Sequence, residues 1–119
     1  MPQYKLGEVE AAFAALIWDN EPLSSGRLVE LCAQQLDWKK STTYTVLRRL
    51  CQRGIFQNEG GVVVSLITRE EFAARQSEEF VDQAFDGSLP KFLTAFASRK
   101  KLSREEIELL QRLIDESRG

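Results

Sequence analysis

Three stretches of helical apolar spacing come first, then two β-rich runs around Gly60-Gly61, then three more helical stretches opened by capping signals. That order predicts a mostly α fold with a small β-hairpin wing: a winged helix-turn-helix over residues 1–67 and a three-helix dimerisation region over residues 68–119. With 119 residues, 29% charged and 43% hydrophobic, the chain has room for one compact domain plus an oligomerisation segment, and its usage is that of a globular protein.

Val9, Phe13, Leu16 and Ile17 recur at three- and four-residue spacing, giving a first helix over about residues 7–18. Gly7 is an acceptable N-cap, Glu10 suits the positive helix end, and Asn20-Glu21-Pro22 breaks the pattern. A second helix starts at the Ser24/Ser25 cap and runs to about Leu36, with Leu28, Leu31, Cys32 and Leu36 on one stripe. A third covers about residues 40–53 and ends at Gly54, a residue favoured where the backbone turns left-handed. Its buried stripe is Thr43, Val46, Leu47 and Leu50, which leaves Thr42, Tyr44, Thr45, Arg48, Arg49 and Gln52 outside. Ile55–Asn58 and Val62–Ile67 flank a Gly-Gly turn and read as a hairpin. Trp18 and Trp38, beside helices one and three, are expected at the edge of the core.

From Thr68 the character changes. Thr68-Arg-Glu-Glu71 is a capping box opening a helix to about Phe85. Asp86-Gly87-Ser88 ends it and caps another over Leu89–Ser98, and Ser103-Arg-Glu-Glu106 opens the last. Five of the seven phenylalanines lie here, more ring surface than about 50 residues bury alone. Either these helices fold back on the N-terminal part, or they exchange with a second copy. The second arrangement is expected: a homodimer closed by Phe72, Phe80, Phe92, Phe96, Ile107, Leu110, Leu113 and Ile114.

The net charge of −2 argues against a nucleic-acid partner only until its distribution is considered. Residues 38–58 hold Lys39, Lys40, Arg48, Arg49 and Arg53 and no acid, while nine basic and eleven acidic residues lie from Thr68 onward. Local positive potential is what phosphates respond to. An α-helix fits the major groove, so the outer face of helix three is the expected reading surface. Arg48 and Arg49 suit guanine edges or phosphates, and Ser41, Thr42 and Thr45 suit phosphates or a thymine methyl. Tyr44 suits the sugar-phosphate backbone, and Lys39 and Lys40 sit at the positive helix end. The hairpin tip carries Glu59, which phosphate repels, so the wing either makes a short backbone contact through Asn58 and the glycine amides or does not touch DNA, and little or no base contact is expected from it.

Other classes are disfavoured. The chain has no histidine and only two isolated cysteines, Cys32 and Cys51, read as small buried hydrophobes. No metal site, cofactor or nucleophilic triad is therefore expected, and the protein is not expected to be an enzyme. The opening Met-Pro-Gln-Tyr-Lys has no charged-then-apolar leader, and Ala11–Trp18 falls far short of the roughly 20 apolar residues of a spanning helix. A cytoplasmic protein without membrane insertion is expected.

Leu6-Gly-Glu-Val-Glu10, Leu16-Ile-Trp18, Trp38-Lys-Lys-Ser-Thr-Thr-Tyr-Thr-Val-Leu-Arg-Arg-Leu50 and Arg53-Gly-Ile-Phe56 resemble the penicillinase-repressor family (the BlaI/MecI type) of winged-helix regulators. The likeness extends to the Leu102-Ser-Arg-Glu-Glu-Ile107 run and so spans essentially the whole chain. It implies a dimeric transcriptional repressor on a double-stranded inverted repeat of TACA/TGTA type. By position it sets Ser41, Thr42, Tyr44, Thr45 and Arg48 in or beside the groove. It further implies inactivation by a membrane sensor-protease that cuts the second C-terminal helix before a phenylalanine, here Ala95-Phe96, where the family often carries Asn at the first position. The Cys-x-Cys pair of copper-sensing relatives is missing. A different class stays open on the acidic balance and on Glu59: a winged-helix module that docks on a protein without binding DNA.

Overall fold

The computed structural model describes residues 4–118. Its elements are α1 (Glu8–Asn20), β1 (Leu23–Ser24), α2 (Ser25–Leu36), α3 (Lys40–Gln52), β2 (Phe56–Glu59), β3 (Val62–Ser65), α4 (Arg69–Phe85), α5 (Leu89–Arg99) and α6 (Arg104–Ser117). Two compact units divide the chain, Met1–Glu79 and Phe80–Gly119.

In the first unit the apolar stripes of three helices meet over a small sheet. Phe13, Ala14 and Ile17 of α1, Leu28 and Cys32 of α2 and Leu50 of α3 are fully buried, with Ile55, Phe56 and Val63 closing the core from the sheet side. The sheet is antiparallel in the order β1-β3-β2, with Phe56 opposite Ser65, Glu59 opposite Val62, and Leu23 opposite Val63. Gly60 and Gly61 both have positive φ, 60° and 80°, which a two-residue turn of the primed type requires. Thr43 is the buried polar residue of the core; its hydroxyl donates to the Lys39 carbonyl at 3.3 Å. Trp18 sits against Phe56 and donates its Nε1–H to the Ile67 carbonyl, while Trp38 stacks on Phe13, so both are core-edge packers.

Three expectations are corrected. Val9 continues the α1 stripe but lies one turn before Phe13, the first buried residue, and is 56% exposed. Strand β1 has no sequence signal of its own. Phe72, expected at a dimer interface, is 5% exposed in the core of the first unit, against Tyr4 and Trp18 at centroid distances of 5.7 and 5.4 Å. The part of α4 up to Glu79 therefore belongs with the winged helix, and the unit boundary falls after Glu79 rather than after Ile67.

The second unit is built differently. Phe80, Phe85, Phe92 and Phe96 form a chain of edge-on and tilted ring contacts, with centroids 5.6 to 6.2 Å apart. Ser88 caps α5 through the Lys91 N–H, and Ser103 and Glu106 form the reciprocal box on α6. Among its described residues none is buried: Phe80, Leu89, Ile107, Leu109, Leu113 and Ile114 are each more than half exposed. Phe96 is 43% exposed, and Phe92 and Leu110 are half-buried.

Candidate nucleic-acid interface

Helix α3 is 13 residues long, about 20 Å by rise per residue, and its outward side follows from its inward one. Thr43, Val46, Leu47 and Leu50 face the core. Ser41, Thr45, Arg48 and Gln52, at spacings of four, three and four, form the exposed opposite ridge. The Thr45 hydroxyl donates to the Ser41 carbonyl at 2.9 Å, an i−4 bond that leaves its methyl outward. Arg48 has no ion pair and no side-chain hydrogen bond among the described residues, so its guanidinium is free to meet an anion or a base edge.

The two flanks differ. On one, Thr42 is exposed and Arg49 reaches Glu10 of α1 at 3.5 Å, a partly exposed pair that ties one cation to the protein. On the other, Tyr44 is half-buried against the core, and its hydroxyl donates to Ser25 Oγ at 3.1 Å. Tyr44, expected on the outside, is thus an edge residue joining α3 to the start of α2. Next to it a cleft of about 240 Å³ is lined by Tyr44, Leu47, Arg48, Cys51 and Asn58. Gln52, outward by the helix period, joins the exposed ridge. Asn58 of β2 lines the cleft beside Arg48, a placement that comes from the fold and not from any local period.

At its N-terminus α3 has no capping side chain; Lys39 occupies the N-cap in extended conformation, and both Lys39 and Lys40 are exposed without ion pairs among the described residues. Free first-turn amides, the positive end of the helix dipole and two ammonium groups make this end suited to a phosphate. The wing is less so. Glu59 is exposed at the hairpin tip and accepts from the Gln57 amide, and the Gly61 carbonyl is taken by the Ser25 N–H at 2.8 Å. Burial raises both thiol pKa values; Cys32 is inaccessible and Cys51 half-buried. No group of His, Cys, Asp and Glu among the described residues could hold a metal, and no helix is long and apolar enough to cross a membrane.

A three-helix core, an antiparallel sheet ending in a short wing, and an exposed helix face bearing cations and hydroxyls define a winged helix-turn-helix regulator of the DNA-binding class. Residues 6–116 match the family model described as penicillinase repressor. The chain belongs to the penicillinase repressor family and is a transcriptional repressor. It is 23% identical over 116 residues, 94% of each chain, to the methicillin resistance regulatory protein MecI of Staphylococcus aureus. It is 22% identical over the same length to MecI of Mammaliicoccus sciuri, and 23% identical to the penicillinase repressor of Bacillus licheniformis over 97% of this chain and 93% of that one. Family membership supports the repressor reading over the protein-docking module.

Proposed function

We propose that the protein represses as a homodimer, with one α3 from each copy in successive major grooves of an inverted-repeat operator. The observation that carries this is the outer ridge of α3, where Ser41, Thr45 and Arg48 stand exposed and Arg48, like Lys39 and Lys40, has no ion pair among the described residues. Arg48 is the base reader; Ser41, Thr42 and Thr45 contact phosphate or thymine methyls; Lys39, Lys40 and the α3 amides hold the backbone. Arg49 contributes at the flank when its Glu10 pair opens. Tyr44 orients the helix and reaches the backbone from the edge. The TACA/TGTA repeat implied by the family resemblance is the expected target.

The second unit supplies the pairing surface. Rings and aliphatic side chains left half exposed on α4, α5 and α6 (Phe80, Phe96, Ile107, Leu113 and Ile114, with Phe92 and Leu110 beside them) become buried against the same set in the second copy. Cleavage of the exposed Ala95-Phe96 peptide of α5 by a membrane sensor-protease would divide the phenylalanine chain and end the two-site binding.

Fluorescence anisotropy on duplexes carrying two, one or no half-sites tests this. Two half-sites should bind far more tightly than one. With each of two copies presenting Lys39, Lys40 and Arg48, log K should fall with log[salt] at a slope of about −5. Undetectable binding at low salt, or binding indifferent to salt, would overturn the proposal.

A further inference from the structure

We infer that Tyr4, Arg75 and Glu79 are positioning residues that clasp α4 to the DNA-binding unit and so restrict which half-site spacings the paired protein accepts. The inference deepens the function proposed above and rests on its two-copy reading. Its observations lie within the first unit.

The Tyr4 backbone N–H donates to both carboxylate oxygens of Glu79, at 3.2 and 3.0 Å. Arg75 donates to the Tyr4 hydroxyl at 2.5 Å, lies 5.3 Å from the centre of that ring, and pairs with Glu71 at 2.6 Å. The ring meets Phe72 edge-on. One residue thus grips α4 at Phe72, Arg75 and Glu79, three successive turns of one face. Its neighbour Lys5 accepts at its carbonyl from Arg53, the C-cap of α3, at 2.9 Å. Residues 4 and 5 therefore bridge the end of the DNA-facing helix to the far part of α4.

A second attachment holds the start of α4. Arg69 pairs with Asp19 at 3.0 Å, donates to the Ala15 carbonyl at 3.2 Å and stacks over Trp18. A helix held only there would pivot. Glu79 lies ten residues on, about 15 Å along the axis, and a second hold at that distance removes the pivot. Polar contacts of this kind, part-buried at Tyr4 and exposed at Arg69, add little stability, but two separated ones set a direction. Because α4 carries the chain on to Phe80, where the second unit begins, that direction bears on where a paired copy presents its own α3.

The test uses the full chain with Tyr4→Ala, Glu79→Ala and, as rescue, Glu79→Gln, whose amide oxygen still accepts the Tyr4 N–H. Hydrogen exchange of α4 is measured alongside binding to a single half-site and to two-half-site duplexes whose spacing differs by one or two base pairs. Both alanine variants should bind the single half-site normally and exchange the Arg75–Glu79 amides roughly tenfold faster. They should also flatten the spacing preference from roughly tenfold or more to under about threefold. Glu79→Gln should match the unmodified protein. If an alanine variant fails to fold, Tyr4→Phe, which loses only the hydroxyl, should show the same changes on a smaller scale. An unaltered spacing profile in the variants, or no rescue by Glu79→Gln, overturns the inference. If the unmodified protein itself gains nothing from a second half-site, the two-copy reading falls and exchange alone decides: faster exchange in the alanine variants upholds the clasp, unaltered exchange overturns it.

Discussion

Phe72→Ala separates a core role from an interface role, and with it the place where the DNA-binding unit ends. The ring is 5% exposed between Tyr4 and Trp18. Truncating a buried phenylalanine costs about 3–5 kcal/mol, more when the walls cannot collapse into the space. Here one wall is fixed: Trp18 is held by its bond to the Ile67 carbonyl and by Phe56 at 5.2 Å. The other, Tyr4, is only partly buried, so the vacated space opens toward solvent instead of closing as a dry cavity, and the expected cost is near the lower end, about 3 kcal/mol. Against a total of about 5–15 kcal/mol this lowers the urea midpoint by roughly 1–3 M. Urea unfolding of the full chain, followed by tryptophan fluorescence at several protein concentrations, measures it. The comparison is Phe80→Ala, a residue 54% exposed in the single chain, whose effect should shrink toward zero as protein is diluted, as for a residue buried by pairing. A Phe72→Ala loss below about 1 kcal/mol, or one that tracks concentration as Phe80→Ala does, would return Phe72 to the interface and the boundary to Ile67.

Arg48→Ala should reduce discrimination between operator and random DNA by roughly 1–3 kcal/mol in competition anisotropy, whereas Arg49→Ala should weaken both alike and by less, because Glu10 already holds it. Equal losses on both sequences for Arg48→Ala would make it a phosphate contact. Glu106 is held below the ordinary carboxylate range by the Ser103 backbone N–H and then by the Ser103 side chain. A depressed folded pKa stabilises α6 above the unfolded pKa, and that stabilisation fades as pH falls through the folded value, so α6 should fray on acidification. NMR titration should place the Glu106 midpoint below that of a free glutamate, and an unshifted midpoint would refute the capping role. Burial raises both thiol pKa values, so at pH 8 a disulfide reagent should modify Cys51 slowly and Cys32 only on unfolding. Rapid stoichiometric labelling of both thiols in the native protein would contradict that packing.

Local chemistry made most of the first unit readable. The α3 stripe, the Ser24 cap and the Gly60-Gly61 turn each depend on residues within one or two turns of one another, and each matches the structure. Strand β1 does not, because two residues carry no period; Leu23 and Ser24 are strand only through Val63 and Val62. Phe72 shows a second kind of limit. Its helix period gives it an apolar face but not the identity of the surface that receives it, and Tyr4 and Trp18, whose rings meet it, are distant in sequence. Tyr44 fails for a third reason: it stands at the edge of the α3 stripe, where helix geometry alone does not separate solvent from the Ser25 hydroxyl.

The acidic balance of the chain and its role on DNA are compatible because the two act over different lengths. At physiological salt a charge is felt over about 8 Å, well under the roughly 20 Å length of α3. The potential at the α3 surface is therefore set by what the fold places on it. That is Lys39, Lys40 and Arg48 without partners among the described residues, and Arg49 half-neutralised by Glu10. Three cations without partners among the described residues and a helix end are a modest hold for one copy, and Glu59 puts a negative charge at the wing tip. On the two-copy reading proposed above, a chain built this way would bind one half-site weakly, and tight repression would depend on the second copy arriving in register. On that proposal the exposed apolar faces of α5 and α6 would govern affinity as much as the reading helix does, and a single cut at Ala95-Phe96 would release the operator without touching any group proposed to contact DNA.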